Sequence, residues 1–580
     1  MDKTICPLDC YDACSVEFVD GKLKGDSSHP LTQGFLCPSL NGFLKQKRIT
    51  KPRYNGKEIS IDEALELLVK KLKDTQKQKT LLFRGSGNMG RMQDVTNLFF
   101  EKYGATFTKG SLCDGAGHVG IVEGRGANLA LPISQIEKSE VVVVWGRNIS
   151  TTNSHMMNVI KDKTLIVIDP IKTKLAKKAD VHVQLKPRSD FFLAILWARF
   201  AHLEEMEDLE FIEAYTEYYE DFVDFFRGFG IKYLIDEVDV TVKIIMDSLI
   251  LMKDAKVTFL VGVGVQKYLH GDGVLRAIDS LATMMGQFGK EGCGVSYLSD
   301  SGYGFTNPFS HNSQTVPKPT VDFSDFDTVF IQGANPASQM PDSNRVIDGL
   351  KKSEFVVYFG LYENESSQIA NLIIPAKTFL EKEDIRLSYG SEFVGKMPKL
   401  IDSDIGISEY ELTKYLQLKF GFEALKSEKE YCEEILNSNS KEIDEYLQSS
   451  NYDKIPYCDG FYTDDEKFLF IDEIDDEKSS EEEGYFLITS KPRKSINSQF
   501  ERDSYIYISS SLGFENGEII KAISRYGSSK FIVKISDDFR SDCVGIYSGA
   551  EGINYLTPSL KSNDGNSAVF QEVKIKLEKA

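Results

Sequence analysis

Four of the nine cysteines in this 580-residue chain fall within its first 37 residues, as Cys6, Cys10, Cys14 and Cys37. The spacing C-x3-C-x3-C-x22-C puts three thiols on one short loop and brings the fourth from a separate one. In a reducing compartment, clustered thiols read as metal ligands rather than disulfides. A [4Fe–4S] cube takes four Cys thiolates, and a three-plus-one arrangement suits it. Structural zinc is the rival, although zinc sites more often use paired knuckles, two and two. The other five, Cys113, Cys293, Cys432, Cys458 and Cys543, are scattered.

Beyond that segment the hydrophobic pattern alternates between two periods. Apolar runs of parallel-strand type, TLLFRG, EVVVVWG, TLIVIDP, VTFLVGVG, DTVFIQGANP, EFVVYFG and NLIIPA, are separated by helical stretches such as VTNLFFEKYG and GVLRAIDSLATMMGQFG. That alternation specifies α/β units with mainly parallel sheets. SIDEALELLVKKLKD begins a helix, with Ser60 and Glu63 as a capping box, and VEFVDGKLKG reads as a hairpin around Asp20-Gly21. From about residue 464 the chain is strongly acidic, which reads as a solvated boundary. YFLITS, YIYISSS, KFIVKISD and VKIKLE then give a C-terminal all-β domain.

Charge and hydropathy exclude two function classes. Lys plus Arg number 68 against 88 Asp plus Glu, a net charge of −20, whereas binding a phosphate backbone or an anionic membrane needs a basic face. No window approaches the ~18 apolar residues of a membrane span. The opening MDKTICPLDCYDAC carries no basic and apolar export signal, so we expect a cytoplasmic protein without direct membrane insertion.

An ordered set of motifs resembles one family, the molybdopterin-guanine-dinucleotide oxidoreductases of the dimethyl-sulfoxide-reductase and formate-dehydrogenase type. The set runs CPLDCYDACSVEFVDGKLKG, HPLTQGFLCP, SIDEALELL, RGSGNMG, GSLCDGAGHVG, VVVVWGRN, IVIDP, LKPRSD, QGANPASQMPD, IIPAKTFLEKED, GINYLTP and GNSAVFQEVKIKLE, and spans nearly the whole chain. The likeness is greatest to cytoplasmic members with a CPLDCxDxC start. It implies a [4Fe–4S] domain over 1–50, an α/β domain from 51–135 and 301–420, a Rossmann-like α/β domain over 136–300, a helical and acidic connector over 421–484, and a dinucleotide-binding β-barrel over 485–580. It also implies two molybdopterin guanine dinucleotides chelating one Mo or W.

Residue chemistry agrees with the ligand sites that the resemblance implies. Gly146-Arg147-Asn148 and Gly333-Ala334-Asn335 each follow an apolar strand, where α/β folds bind nucleotides. Their pairing in two α/β halves suits two similar dinucleotides. Asp169 ends IVIDP, where an acidic group meets ribose hydroxyls, and Asp190 in KPRSD matches the family's guanine-contacting Asp. Gly262, Gly264 and Asn554 complete the implied cofactor-binding set.

Cys113, in KGSLCDGAGHVG, stands at the family's metal-ligand position, and a thiolate suits a sulfur-rich metal centre. The glycines of that loop are expected to let the backbone approach the pterins. Two departures stand out. Asp114 occupies the place where formate dehydrogenases carry His, which leaves His118 as the candidate proton handler. Cys37 is followed by Pro38-Ser39-Leu40, without the family's cation two residues on, which leaves Lys45 or Lys47 to bridge cluster and pterin. The resemblance therefore implies a redox enzyme acting on a small substrate and exchanging electrons with a carrier or iron–sulfur partner subunit. The competing reading is a non-catalytic electron-wire or scaffold subunit that keeps the fold without the metal.

Overall fold

The computed structural model describes residues 2–474 and 483–580. Its first strands, Asp2–Ile5, Ser15–Val19 and Lys22–Gly25, form an antiparallel sheet. The expected hairpin closes it: Val19 pairs with Lys22 across Asp20 and Gly21, both at positive φ (51° and 73°), as an Asp-Gly turn requires.

Two largely parallel sheets form the centre. In the five-stranded one the order is Val181–Val183, Thr164–Ile168, Val141–Trp145, Val257–Val261 and Gly294–Ser296. In the eight-stranded one Thr315–Pro317, Thr106–Lys109, Thr80–Arg84, Thr328–Gln332, Phe355–Gly360 and Leu372–Pro375 run parallel, and Arg53–Tyr54 with Lys57–Glu58 adds an antiparallel edge. Unbroken apolar runs make sense because both faces are covered. Val141, Val143 and Trp145 feed one core, while Val142 and Val144 feed another. The helix Ile61–Asp74 carries its capping box and packs Leu65, Leu68 and Leu72 with Phe99, Phe100 and Phe330.

Strand order fixes where a ligand can lie. In the first sheet the chain steps outward from Val141–Trp145 in one direction to 164 and 181, and from Val257–Val261 in the other to 294. In the second the reversal falls between Thr80–Arg84 and Thr328–Gln332. A crevice opens outside the carboxyl ends of strands at each such switch point.

The C-terminal residues close a six-stranded barrel, in the order Tyr485–Ser490, Cys543–Tyr547, Tyr505–Ile508, Ser528–Ile535, Ile519–Ile523 and Lys574–Lys579. Two of these strands escaped the sequence pattern. CVGIY contains Gly545, whose missing side chain is filled by the Phe539 ring (2.3 Å from a built Cβ), and a strand glycine weakens the signal. IIKAI is short and buries only Ile520 and Ala522.

The acidic run requires a correction. Residues 475–482 of it lie outside the described residues, but its start is no solvated boundary. Phe468, Phe470 and Ile471 are buried in the main core, and Phe468–Leu469 pairs with Thr216–Glu217. The apolar residues between the acids carry that segment inward. Likewise Ser440–Ile443 and Tyr446–Ser449 form a hairpin that joins Phe393–Met397 and Asp384–Arg386, within a stretch expected to be helical. No helix among the described residues is long and apolar enough to cross a membrane.

Candidate functional site

A single cavity of about 1270 Å³ joins both switch points to the barrel and the N-terminal segment. Its wall takes Gly146, Arg147, Asn148, Gly262 and Gly264 from the five-stranded sheet, and Gly85, Gly87, Gly333 and Asn335 from the other. The barrel contributes Lys491, Arg502 and Asn554, and the cysteine loop contributes Asp9 and Tyr11. Twelve lysine and arginine side chains line it against seven aspartates and glutamates, in a chain whose net charge is −20. That inversion of charge suits a polyanion such as a pair of diphosphates. Arg147, stacked on Tyr11 with its guanidinium 3.6 Å from the ring centroid, has an Nε without a partner among the described residues.

Backbone close approach shapes the crevices. A Cβ on Gly262 would lie 2.2 Å from the Gly146 carbonyl oxygen, and one on Gly87 would lie 2.5 Å from that of Gly333. In each sheet the loops at the switch point therefore touch backbone to backbone. The two asparagines beside them both line the cavity but are held differently. Asn335 spends its amide on Glu365 and Ser498, and its carbonyl accepts from Ser366 at both N and Oγ. All four of its hydrogen bonds are made within the protein, so its side chain braces the loop. The carbonyl of Asn148 accepts from Ser150. Asn554 donates to the Ser338 carbonyl at 2.6 Å, tying the barrel to the second crevice.

The two candidate dinucleotide carboxylates are buried on the cavity wall. Burial, with the charge of Asp190 added, pushes Asp169 up to about 7. Burial likewise pushes Asp190 up to about 6, against a hydrogen bond from Trp145 Nε1 at 2.7 Å. Each carboxyl spends one oxygen within the protein, Asp169 on the Ile171 N–H and Asp190 on Trp145, and both line the cavity.

Cys113 is the one exposed cysteine, and what it is exposed to is this cavity. It lies on the turn after Thr106–Lys109, just before the helix Gly115–Arg125. Gln266 donates to its carbonyl oxygen, Lys267 Nζ donates to the carbonyl of Leu112 at 2.8 Å, and its own N–H donates to Ser111 Oγ at 2.7 Å. Burial and then Asp114 push its thiol up to about 12; a coordinating cation reverses that preference.

Of the glycines around Cys113, Gly110 lines the cavity, whereas Gly115 and Gly120 serve packing. Cβ atoms on Gly115 and Gly120 would lie 2.4 Å from the Gly565 carbonyl oxygen and 2.2 Å from that of Asp272. They let the helix Gly115–Arg125 pack closely against the protein, away from the cavity. The same helix is pinned by Arg125, whose Nε donates to Asp279 at 2.7 Å in a fully buried ion pair. His118 points elsewhere: its Nδ1 meets Asn128 Nδ2 at 3.2 Å, and it is not among the cavity-lining residues.

The N-terminal thiols form a second, enclosed site. Cys6 and Cys14 are buried, Cys10 and Cys37 half-buried, and the Cys6 N–H donates to the Cys14 carbonyl at 2.9 Å. Burial, then the neighbouring Cys10 and Cys37, pushes Cys6 well above its ordinary range; Cys14 feels burial and then Cys10 and Cys6. Four thiols within reach of one another's charge suit a site deprotonated by a bound metal. Arg386 is fully buried beside them, with Nε and Nη1 unpartnered among the described residues, a cation suited to an anionic cluster. Asp12, Cys14 and His155 also converge as a possible metal trio. Yet His155 Nδ1 meets Asp12 at 2.8 Å and Nε2 meets the Phe35 carbonyl at 3.1 Å, so both ring nitrogens are spent on oxygen acceptors.

The matched sequence profile decides the family: that of molybdopterin oxidoreductases covers residues 48–395. The chain belongs to the molybdopterin oxidoreductase family. Members are oxidoreductase enzymes with a molybdenum- or tungsten-pterin cofactor, which favours the catalytic reading over the electron wire. The chain is 24% identical to "Probable oxidoreductase YyaE" of Bacillus subtilis, over all of this chain and 99% of that one. It is 26% identical to the F420-dependent formate dehydrogenase 1 subunit alpha of Methanococcus maripaludis, over 72% of this chain and 70% of that one. Its fold matches acetylene hydratase from Pelobacter acetylenicus with a TM-score of 0.83 at 15% identity, each chain covered completely.

Arg147, Lys267, Lys318, Arg386 and Lys491 were not singled out from sequence. Arg147 had a signal, since it lies inside the G-R-N turn. The others are isolated cations in ordinary contexts, and only the fold brings them to a site.

Proposed function

We propose that the cavity holds Mo or W on two pterin guanine dinucleotides with Cys113 as protein ligand, and that Cys6, Cys10, Cys14 and Cys37 hold a [4Fe–4S] cluster. The observation that carries this is one cationic cavity reaching from the cysteine loop past Cys113 to both switch-point crevices. When bound, the pterin-held metal supplies two-electron oxygen-atom or hydride-type chemistry, and the cluster exchanges single electrons with an external carrier or an iron–sulfur partner subunit.

The chain's own residues bind and orient. The crevice loops offer backbone groups and Asp169 and Asp190 offer carboxyls to the dinucleotides, and the lysines and arginines of the wall offset diphosphate charge. Gln266 and Lys267 fix the carbonyls on either side of the Cys113 Cα, so the thiol faces the cavity. Ser111 Oγ donates to Asp114 Oδ1 at 2.8 Å, holding that carboxylate beside the thiol; it stands where a formate enzyme of the family has His. Nitrate, sulfur oxyanions and N- or S-oxides are therefore the favoured substrate classes, with formate after them.

Elemental analysis of the purified protein tests the assignment. About one Mo or W and about four Fe with labile sulfide per chain are expected. Stoichiometric zinc, or iron without Mo or W, contradicts it.

A further inference from the structure

Two cations from distant parts of the chain grip the loop that carries the first cysteines. Arg386, on the strand Asp384–Arg386, donates from Nη2 to the carbonyls of Leu8 and Cys10 at 3.4 and 3.3 Å. Lys491 follows the barrel strand Tyr485–Ser490 and donates from Nζ to the Asp9 carbonyl between them at 3.0 Å. Three successive carbonyls, at residues 8, 9 and 10, are thus held by side chains that lie far away in sequence. The Asp9 carboxylate lies 4.0 Å from Lys491 Nζ and also accepts from Tyr389 at 2.7 Å.

Lys491 differs from Arg386 in where its free face points. Arg386 is sealed in the interior, whereas Lys491 keeps 30% exposure and lines the cavity together with Cys113, Lys267 and Tyr11. Cys113 and Cys10 are both among the groups whose charge acts on Lys491. Of the cations considered from sequence, Lys47 lines the cavity while Lys45 does not; neither donates to the cysteine loop among the described hydrogen bonds.

We infer that Lys491, delivered by the C-terminal barrel, is the positioning cation between the cysteine site and the Cys113 cavity. It holds the Asp9–Cys10 peptide and raises the reduction potential of the metal group on those cysteines. This rests on the cluster assignment above. The step it tunes is simple in its balance: one electron enters the cluster from the reductant, no proton moves, no bond forms or breaks, and the site gains one negative charge. A fixed positive charge nearby favours the reduced form. The barrel's docking thereby becomes a condition for normal electron transfer.

The test is a dithionite titration of the purified holoenzyme followed by electron paramagnetic resonance, for wild type, Lys491→Gln and Lys491→Arg. Gln keeps a donor for the Asp9 carbonyl without the charge; Arg keeps both. Iron and labile sulfide, measured first, report on the cluster assignment independently of the inference. With iron content intact, Lys491→Gln should lower the reduction equilibrium constant about tenfold, a fall of ~59 mV for one electron, and Lys491→Arg should restore it. An unchanged potential in Lys491→Gln overturns the inference. Should that variant instead lose iron, the holding role predicts full iron in Lys491→Arg, and iron loss in both variants overturns it.

Discussion

Cys10 and Cys113 are thiols whose surroundings resist ionisation to a similar degree, pushed up to about 11 and about 12, yet their settings are opposite. Cys10 sits among three other cysteines from the first 37 residues, on a loop gripped by the buried Arg386 and by Lys491. Cys113 stands alone on the wall of a large cavity to which the two central sheets, the barrel and the N-terminal loop all contribute. The first site is built by local sequence and sealed by the fold; the second is built by the fold and merely lined by sequence motifs. A thiol's resistance to ionisation therefore says little about its role. What distinguishes the two is what else faces the sulfur: other sulfurs in one case, open space bounded by cations in the other.

If the two sites are independent in construction, breaking one should spare the other. Cys10→Ser is the largest expected effect, with loss of the broad iron–sulfur absorbance and of nearly all iron, while Mo or W and the pterins stay. Simultaneous loss of both metals would show that the cavity depends on the cluster loop for its shape. The converse perturbation acts through the Cys113 helix. Arg125→Met leaves Asp279 as an uncompensated buried charge, which costs about 3–5 kcal/mol, read as a lower midpoint in urea unfolding. Replacing both partners, as Arg125→Met with Asp279→Leu, should recover most of that loss, because no charge is then stranded.

A smaller effect separates the sites by pH. Asp169 and Asp190 line only the cavity, and their folded values of about 7 and about 6 lie above the ordinary carboxyl range. A carboxyl raised by folding binds more protons in the folded state, so its contribution is complete below about pH 4 and is lost as pH rises toward those folded values. Dinucleotide-free protein should therefore lose stability between pH 5 and 7, by at most about 1.4 kcal/mol per pH unit from each group. Asp169→Asn should flatten that slope in thermal melts without changing iron content. An unchanged slope would mean that the carboxylates are already satisfied when the cavity has no dinucleotide.

The same contrast explains what could be read from sequence. The hairpin at Asp20-Gly21 and the apolar strands ending in Gly146 and Gly333 were legible because each is set within a few residues. Asn335 was placed on a loop that lines the cavity, but its bracing was not legible, since Glu365, Ser366 and Ser498, which consume its amide, come from elsewhere in the chain. The glycines after Cys113 likewise reported a close approach, but only the packing against Gly565 and Asp272 shows to what. Lys491 and Arg386 gave no local signal at all, because their partners are the carbonyls of residues 8 to 10, more than 370 positions away.

The proposed role of Cys113 as protein ligand to a cavity-bound metal can be read by X-ray absorption at the Mo or W edge. Wild type and Cys113→Ala should carry the same metal, pterin and iron content. The variant should show one sulfur neighbour fewer and no turnover with nitrate, a sulfur oxyanion, an N- or S-oxide or formate. An identical sulfur count in both proteins would contradict the claim, and Asp114, held beside the thiol by Ser111, would then be the residue to examine.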